Sequence, residues 1–182
     1  MSLESLLGLV ADALSRSGIP FMLTGSVAAA YRGSSRATMD IDLVVDPTPR
    51  QLDGLIELLS AAGMYVSDLA AHDALSNRGM FNVVDPASGW KVDMIVRKAR
   101  AFSETEFARR EAAELLGVPI AVATLEDLIL SKLEWARLGA SARQLDDVRN
   151  LLRLADRNVD LAYIEHWAEV LNVREQWSAV NS

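Results

Sequence analysis

Met39-Asp40-Ile41-Asp42-Leu43-Val44-Val45 is an apolar run that carries two carboxylates one residue apart, and it follows Leu23-Thr24-Gly25-Ser26 by a short polar connection. The run has the length and composition of a strand. In a strand, side chains at i and i+2 leave on the same face, so Asp40 and Asp42 point one way. Like charges held that close repel and lose hydration, so the pair needs a compensating cation, and hard oxygen ligands in small number suit Mg²⁺.

The sequence before this run supplies a complement. Ile19 to Leu23 reads as a short buried strand, Gly25-Ser26 as a turn, and Val27 to Arg32 as a helix. A strand, a glycine turn and a helix N-terminus together present free backbone N–H groups to an anion, and glycine allows close approach. Upstream, Leu3, Leu6, Leu7, Val10 and Leu14 recur at helical spacing and stop at Ser17-Gly18. Downstream, Pro47 and Pro49 open a helix over Arg50 to Ala62, which Gly63 ends.

Met64 to Val66 reads as a short strand and Asp68 to Leu75 as a short helix. Met80 to Val84 and Trp90 to Val96 flank the Asp85-Pro86-Ala87-Ser88-Gly89 turn and form a hairpin. The second of these strands holds Asp93 between Val92 and Met94, a third carboxylate in the style of the first two. From Thr124 onward the spacing is helical: Leu125, Leu128, Ile129, Leu133 and Ala136, then Leu145, Val148, Leu151, Leu152 and Ala155, then Leu161, Ile164, Trp167, Ala168 and Leu171. The pattern predicts an α+β fold, with a strand-bearing domain over 1–121 and a helical C-terminal region over 122–182 packed on it.

With 182 residues, 51% of them hydrophobic, the chain can bury a substantial core. It contains no cysteine, which excludes disulfides, thiolate metal sites and cysteine nucleophiles. No signal peptide or membrane-spanning run is read, and the expected location is the cytoplasm. A net charge of −7 argues against a broad nucleic-acid footprint. Locally the balance differs: residues 86–110 carry Lys91, Arg97, Lys98, Arg100, Arg109 and Arg110 against Asp93, Glu104 and Glu106, so a small basic patch beside the site is expected.

Leu23-Thr24-Gly25-Ser26, Asp40-Ile41-Asp42-Leu43 and Val92-Asp93-Met94 together resemble the signature of the nucleotidyltransferase superfamily, which includes DNA polymerase β, antibiotic nucleotidyltransferases and minimal bacterial nucleotidyltransferases. Glu126-Asp127-Leu128-Ile129-Leu130-Ser131-Lys132-Leu133 and Asp147-Val148-Arg149-Asn150-Leu151-Leu152 are similar to helices of the AbiEii-like toxin branch. The resemblance spans about residues 19 to 155 and departs at Gln144, where that branch carries an aspartate after the arginine corresponding to Arg143. It implies a mixed sheet flanked by helices and transfer of a nucleoside monophosphate from a nucleoside triphosphate to a hydroxyl. Asp40, Asp42 and Asp93 would hold two Mg²⁺ ions, with Asp93 drawing the proton from the acceptor hydroxyl or orienting it. Gly25 and Ser26 would bind the β- and γ-phosphates, and Arg36 and Lys132 would add positive charge to the triphosphate.

The acceptor is left open between an RNA end such as tRNA or a protein, as for the toxin of a toxin–antitoxin pair with an antitoxin partner, and a small molecule of the aminoglycoside or lincosamide type. A nucleotide-binding regulatory module without turnover is a third reading. Ordinary structural roles compete for several residues. Asp93 can pair with Lys91, Lys132 and Asp147 can form helix-surface ion pairs with neighbours such as Glu126 or Arg143, and Trp135, Trp167 and Trp177 suit helix packing. His72 and His166 have no ligand spacing.

Overall fold

The computed structural model describes residues 2–34, 40–139, 141–154 and 159–181. In chain order the elements are α1 (Leu3–Arg16), β1 (Phe21–Thr24), α2 (Gly25–Tyr31), β2 (Asp40–Val45), α3 (Pro49–Ala61), β3 (Tyr65–Val66), α4 (Asp68–Asn77), β4 (Met80–Val84), β5 (Lys91–Val96), α5 (Ala101–Arg109), β6 (Glu111–Leu115), β7 (Val118–Val122), α6 (Leu125–Gly139), α7 (Ala142–Leu154), α8 (Leu161–Val170) and α9 (Arg174–Val180). The strands form one mixed sheet in the order β3-β4-β5-β2-β1-β7-β6. β2 lies parallel to β5 and β1 parallel to β7, while the remaining pairs are antiparallel. The α+β class expected from the pattern is the class observed.

Local chemistry sets the elements that frame the site. The Ser2 side chain caps α1, accepting from the Ser5 N–H at 3.1 Å, and its apolar stripe Leu6, Leu7, Val10 and Leu14 is fully buried. Thr48 and Gln51 form a capping box at the start of α3, with Pro49 in its first turn. The Gln51 Nε2 also donates to the Gly18 carbonyl at 2.6 Å, which ties α3 to the end of α1.

β2 is an interior strand, paired along both edges, and alternation sorts its residues between the two faces of the sheet. Ile41, Leu43 and Val45 join Val92, Met94 and Val96 of β5 in the main core, together with α1, α3 and α4. Val44 on the opposite face packs with Met22, Phe107 and Ala123 in a smaller cluster. That second face is the one to which Asp40 and Asp42 belong.

Three segments fall outside the expected pattern. α5 and the β6–β7 hairpin lie between the predicted hairpin and the helical tail, and α9 follows the last predicted helix. The β6–β7 turn is closed by Leu116 and Gly117, both at positive φ (53° and 77°), the geometry of a two-residue hairpin loop. Among the described residues, no helix is long and apolar enough to cross a membrane.

Candidate active site

Strand register builds the site row by row. Thr24 of β1 lies opposite Asp42 of β2, Asp42 opposite Asp93 of β5, and Asp93 opposite Asn82 of β4. Thr24, Asp42, Asp93 and Asn82 therefore form one row across four adjacent strands, pointing to one face. Two residues toward the N-terminus of β2, Asp40 stands opposite Lys91. Two residues the other way, Met22, Val44, Ile95 and Met80 form an apolar row. The acids are thus bounded by a charged row on one side and an apolar row on the other.

The glycine-serine turn meets this row directly. Gly25 opens α2 at φ +67°, a conformation that disfavours any side chain, and a Cβ there would lie 1.9 Å from Asp42 Oδ2. The Ser26 backbone N–H donates to the Asp42 carboxylate. Burial, first of all, pushes the Asp42 carboxyl up to about 6, and Asp93 and Asp40 add to the shift, while the Ser26 N–H and Lys132 oppose it.

Asp93 is buried and engaged on both sides. Asn82 Nδ2 donates to its Oδ1, and Lys91 Nζ lies 3.1 Å from Oδ1 and 3.2 Å from Oδ2. Lys91 also reaches Asp40 Oδ1 at 3.7 Å. The hydrogen bond to Asp93 holds the Lys91 ammonium above its usual range. The expected Lys91–Asp93 pair is thus present, and it sits among the three acids.

A cavity of about 190 Å³ lies over this face, lined on one side by Thr24, Gly25, Ser26, Asp42 and Asp93 and on the other by α6 and α7. Lys132 of α6 points into it and is only 4% exposed. Its Nζ donates to Asp147 Oδ2 at 2.8 Å and to Gln144 Oε1 at 3.3 Å, both on α7. This corrects the expectation of helix-surface pairs with Glu126 or Arg143: the partners are Lys132 and Asp147 themselves, buried where α6 packs on α7.

The structure therefore brings together Gly25, Ser26, Asp40, Asp42, Asp93 and Lys132, while Arg36 lies outside the described residues. The basic segment is more neutral than its composition implied. Arg97 pairs with Asp46 at 2.8 Å, Arg100 with Glu134 at 2.5 Å, Arg109 with Asp127 at 3.2 Å, and Lys91 with Asp93.

Four site neighbours escaped the sequence reading. Asn82 was findable, since it is the polar residue of an otherwise apolar strand and alternates as Asp42 does. Gln144 was noted only as a departure, yet it lines the cavity and touches Lys132. Ser131 lines the cavity and donates to Glu106 Oε1 at 2.8 Å. Trp135, assigned to helix packing, lines the cavity with 55% of its surface exposed.

Comparisons with known proteins bear on the family and the fold. The family model described as nucleotidyl transferase AbiEii toxin, type IV TA system, matches residues 9–180. No curated protein matches the sequence. Among solved structures, ANT(2'')-Ia in complex with adenylyl-2''-tobramycin is similar over 96% of this chain and 99% of its own, at 16% identity and a TM-score of 0.62. The lincosamide antibiotic adenylyltransferase LnuA, bound to lincomycin, is similar over 85% of this chain and 98% of its own, at 12% identity and a TM-score of 0.56. A nucleotidyltransferase of Thermotoga maritima, itself described as putative, is similar over 83% and 92%, at 16% identity and a TM-score of 0.53. At these identities the likeness is one of fold.

Proposed function

The chain belongs to the nucleotidyl transferase AbiEii toxin family, and on that premise we propose that it moves a nucleoside monophosphate from a nucleoside triphosphate to an acceptor hydroxyl, with Mg²⁺ held by Asp40, Asp42 and Asp93. The observation that carries this reading is the row Thr24–Asp42–Asp93–Asn82 with Gly25-Ser26 packed against Asp42.

Among the described residues no three carboxylates stand gathered as a ready metal site, but the donor chemistry of Asp40, Asp42 and Asp93 fits the metal. Their donors are all carboxylate oxygens, which suit Mg²⁺. Burial first, and then the neighbouring Asp93 and Asp40, raise Asp42 to about 6, and the Lys91 ammonium lies between Asp40 and Asp93, where cationic charge is favoured. When bound, the ions would stabilise charge on the attacking and leaving oxygens.

The chain's own groups do the rest. The turn at Gly25-Ser26 offers backbone N–H groups to the triphosphate, and Lys132 adds a cation from the opposite wall. Asp93 takes the acceptor proton as the hydroxyl oxygen bonds to the α-phosphorus. The bond from that phosphorus to the β-phosphate's bridging oxygen breaks, and pyrophosphate leaves. Asn82 and Lys91 hold the Asp93 carboxylate in place for this step.

We take the acceptor first as macromolecular, an RNA end such as tRNA or a protein hydroxyl, and the family's description as the toxin of a toxin–antitoxin system supports an antitoxin protein as partner. A second reading, a small cationic acceptor, draws on two observations: the net charge is −7, and Lys91, Arg97, Arg100 and Arg109 are neutralised by acids. Its fold relatives include proteins bound to an adenylylated tobramycin and to lincomycin. Incubation with each α-labelled nucleoside triphosphate and Mg²⁺, in the presence of bulk tRNA or of an aminoglycoside, separates them. Label in tRNA supports the first reading and label on the antibiotic the second. Absence of transfer to tRNA, protein and small molecules alike overturns both.

A further inference from the structure

The cavity over the acids has an end that triphosphate chemistry does not use. Beyond the acid row the sheet presents Met80 and Ile95, register partners on β4 and β5, and both line the cavity. Above them stands Trp135 of α6, one turn beyond Lys132 on the same helix. Trp135 is 55% exposed and Met80 48%, and of the large apolar side chains left open among the described residues these two line the cavity. Leu128, fully buried one turn below Lys132, completes the apolar lining.

We infer that Trp135 is the platform on which the base of the incoming nucleoside triphosphate stacks, with Met80 and Ile95 as the opposing wall. The inference rests on the reading of the site as a nucleotidyltransferase centre and deepens it.

Two observations choose the base over the acceptor as occupant. The groups suited to the triphosphate, Gly25, Ser26 and Lys132, line the same cavity as Trp135, so a nucleotide anchored there carries its base into that space. The acceptor has another way in. Asp93 faces the cavity on one side, and on the other it meets the Asp40–Lys91 row, which lies outside the cavity lining and is open to solvent. A hydroxyl arriving from that row reaches Asp93 without crossing the base.

The chemistry of this end also bears on selectivity. An indole, a thioether and an isoleucine read the face and bulk of a base, and every base has such a face. Discrimination among bases by this wall is therefore weak.

The test is equilibrium binding to the full chain with Mg²⁺, using non-hydrolysable analogues of ATP and UTP and, separately, inorganic tripolyphosphate. Trp135→Ala should weaken both nucleotide analogues by about thirtyfold, the middle of the range for a base–aromatic stack, and leave tripolyphosphate binding within about twofold of wild type. Trp135→Phe should restore nucleotide binding. Nucleotide affinity unchanged in Trp135→Ala overturns the inference and assigns the surface to the acceptor. Equal loss for tripolyphosphate overturns it as well, since a structural defect does not distinguish the ligands. A wild-type chain that binds neither ligand removes the nucleotidyltransferase reading itself.

Discussion

The backbone at Gly25 lies so close to the Asp42 carboxylate that a Cβ at position 25 would stand 1.9 Å from Oδ2 and 2.5 Å from Cγ. Turn and acid form one unit, because the turn's position requires glycine and the acid's rotamer requires the turn. Gly25→Ala would impose a left-handed backbone on alanine at about 1–2 kcal/mol and displace Asp42 as well. The expected result is a melting temperature lower by about 3–6 °C and transfer reduced at least about a hundredfold. Gly54→Ala is the control: it lies in α3 with nothing within 4 Å of its Cβ, so activity should hold and stability rise slightly.

Two buried carboxyls make the metal-free protein lose stability as pH rises. Burial raises Asp42 to about 6 and Glu106 to about 7, with Asp93 adding at the first and Asp127 at the second against the Ser131 hydrogen bond. Both folded-state values exceed the ordinary carboxylate value, so the folded chain holds protons that the unfolded chain has released. Their contribution is complete below the ordinary value and is lost as pH rises through about 6 and about 7. Melting followed by circular dichroism in chelator should show a falling midpoint from pH 5 to pH 8. Asp42→Asn should flatten the lower part and Glu106→Gln the upper part; a wild-type midpoint constant across the range contradicts the assignment.

Asp42→Asn should also melt about 2–4 °C above wild type at pH 7.5 without metal, since it removes a penalised charge. Added Mg²⁺ should raise the wild-type midpoint and leave that of Asp42→Asn unmoved. A differential scanning measurement with and without Mg²⁺ checks both.

Much of the sheet side of the site was legible because strand alternation is short-range. Asp40 and Asp42 share a face by the period of two, and Asp93 repeats the pattern, so no tertiary information is needed to see three acids aimed alike. Their register, Asp42 opposite Asp93 and Asp40 opposite Lys91, depends on β2 pairing with β5 in parallel across the α3–β4 segment, which no local pattern encodes. The α6 wall was read less well for a related reason. Lys132 meets Asp147 only through helix packing, and Trp135 fits the same helical spacing whether it faces core or cavity. α5 and β6 carry mixed polar and small residues, Ala101-Phe102-Ser103-Glu104 and Glu111-Ala112-Ala113-Glu114, which leave no clear period.

The Lys132–Asp147 pair sets up a double-mutant cycle. The residues are 4% and 6% exposed, so removing one leaves the other's charge buried without this partner. Lys132→Met and Asp147→Leu should each cost about 3–5 kcal/mol in urea unfolding, and the double variant should regain most of that loss. Transfer should stay low in the double variant, because the cation facing the triphosphate is gone. Recovery of activity together with stability would assign the pair a structural role alone.

Asp127 ties the helical region to the sheet side. Fully buried on α6, it accepts from Thr124 Oγ1 at 2.7 Å, from Arg109 Nε of α5 at 3.2 Å and from Tyr163 of α8 at 2.5 Å. Arg109 also lies 4.0 Å from the Tyr163 ring centre. Asp127→Ala should cost about 3–5 kcal/mol and Tyr163→Phe about 1–3 kcal/mol. Because one core cluster runs from Leu6 to Val180, residues 1–121 and 122–182 should melt in a single transition by calorimetry.

The central claim is that nucleotidyl transfer occurs at the carboxylate row, and the fate of the label tests it most directly. With Mg²⁺ and an acceptor preparation, triphosphate labelled at the α-phosphorus should leave its label on the acceptor. The same nucleotide labelled at the γ-phosphorus should release its label as pyrophosphate. Asp42→Asn should do neither while remaining folded. Label from the γ-position on the acceptor, or full α-label transfer by Asp42→Asn, contradicts the account.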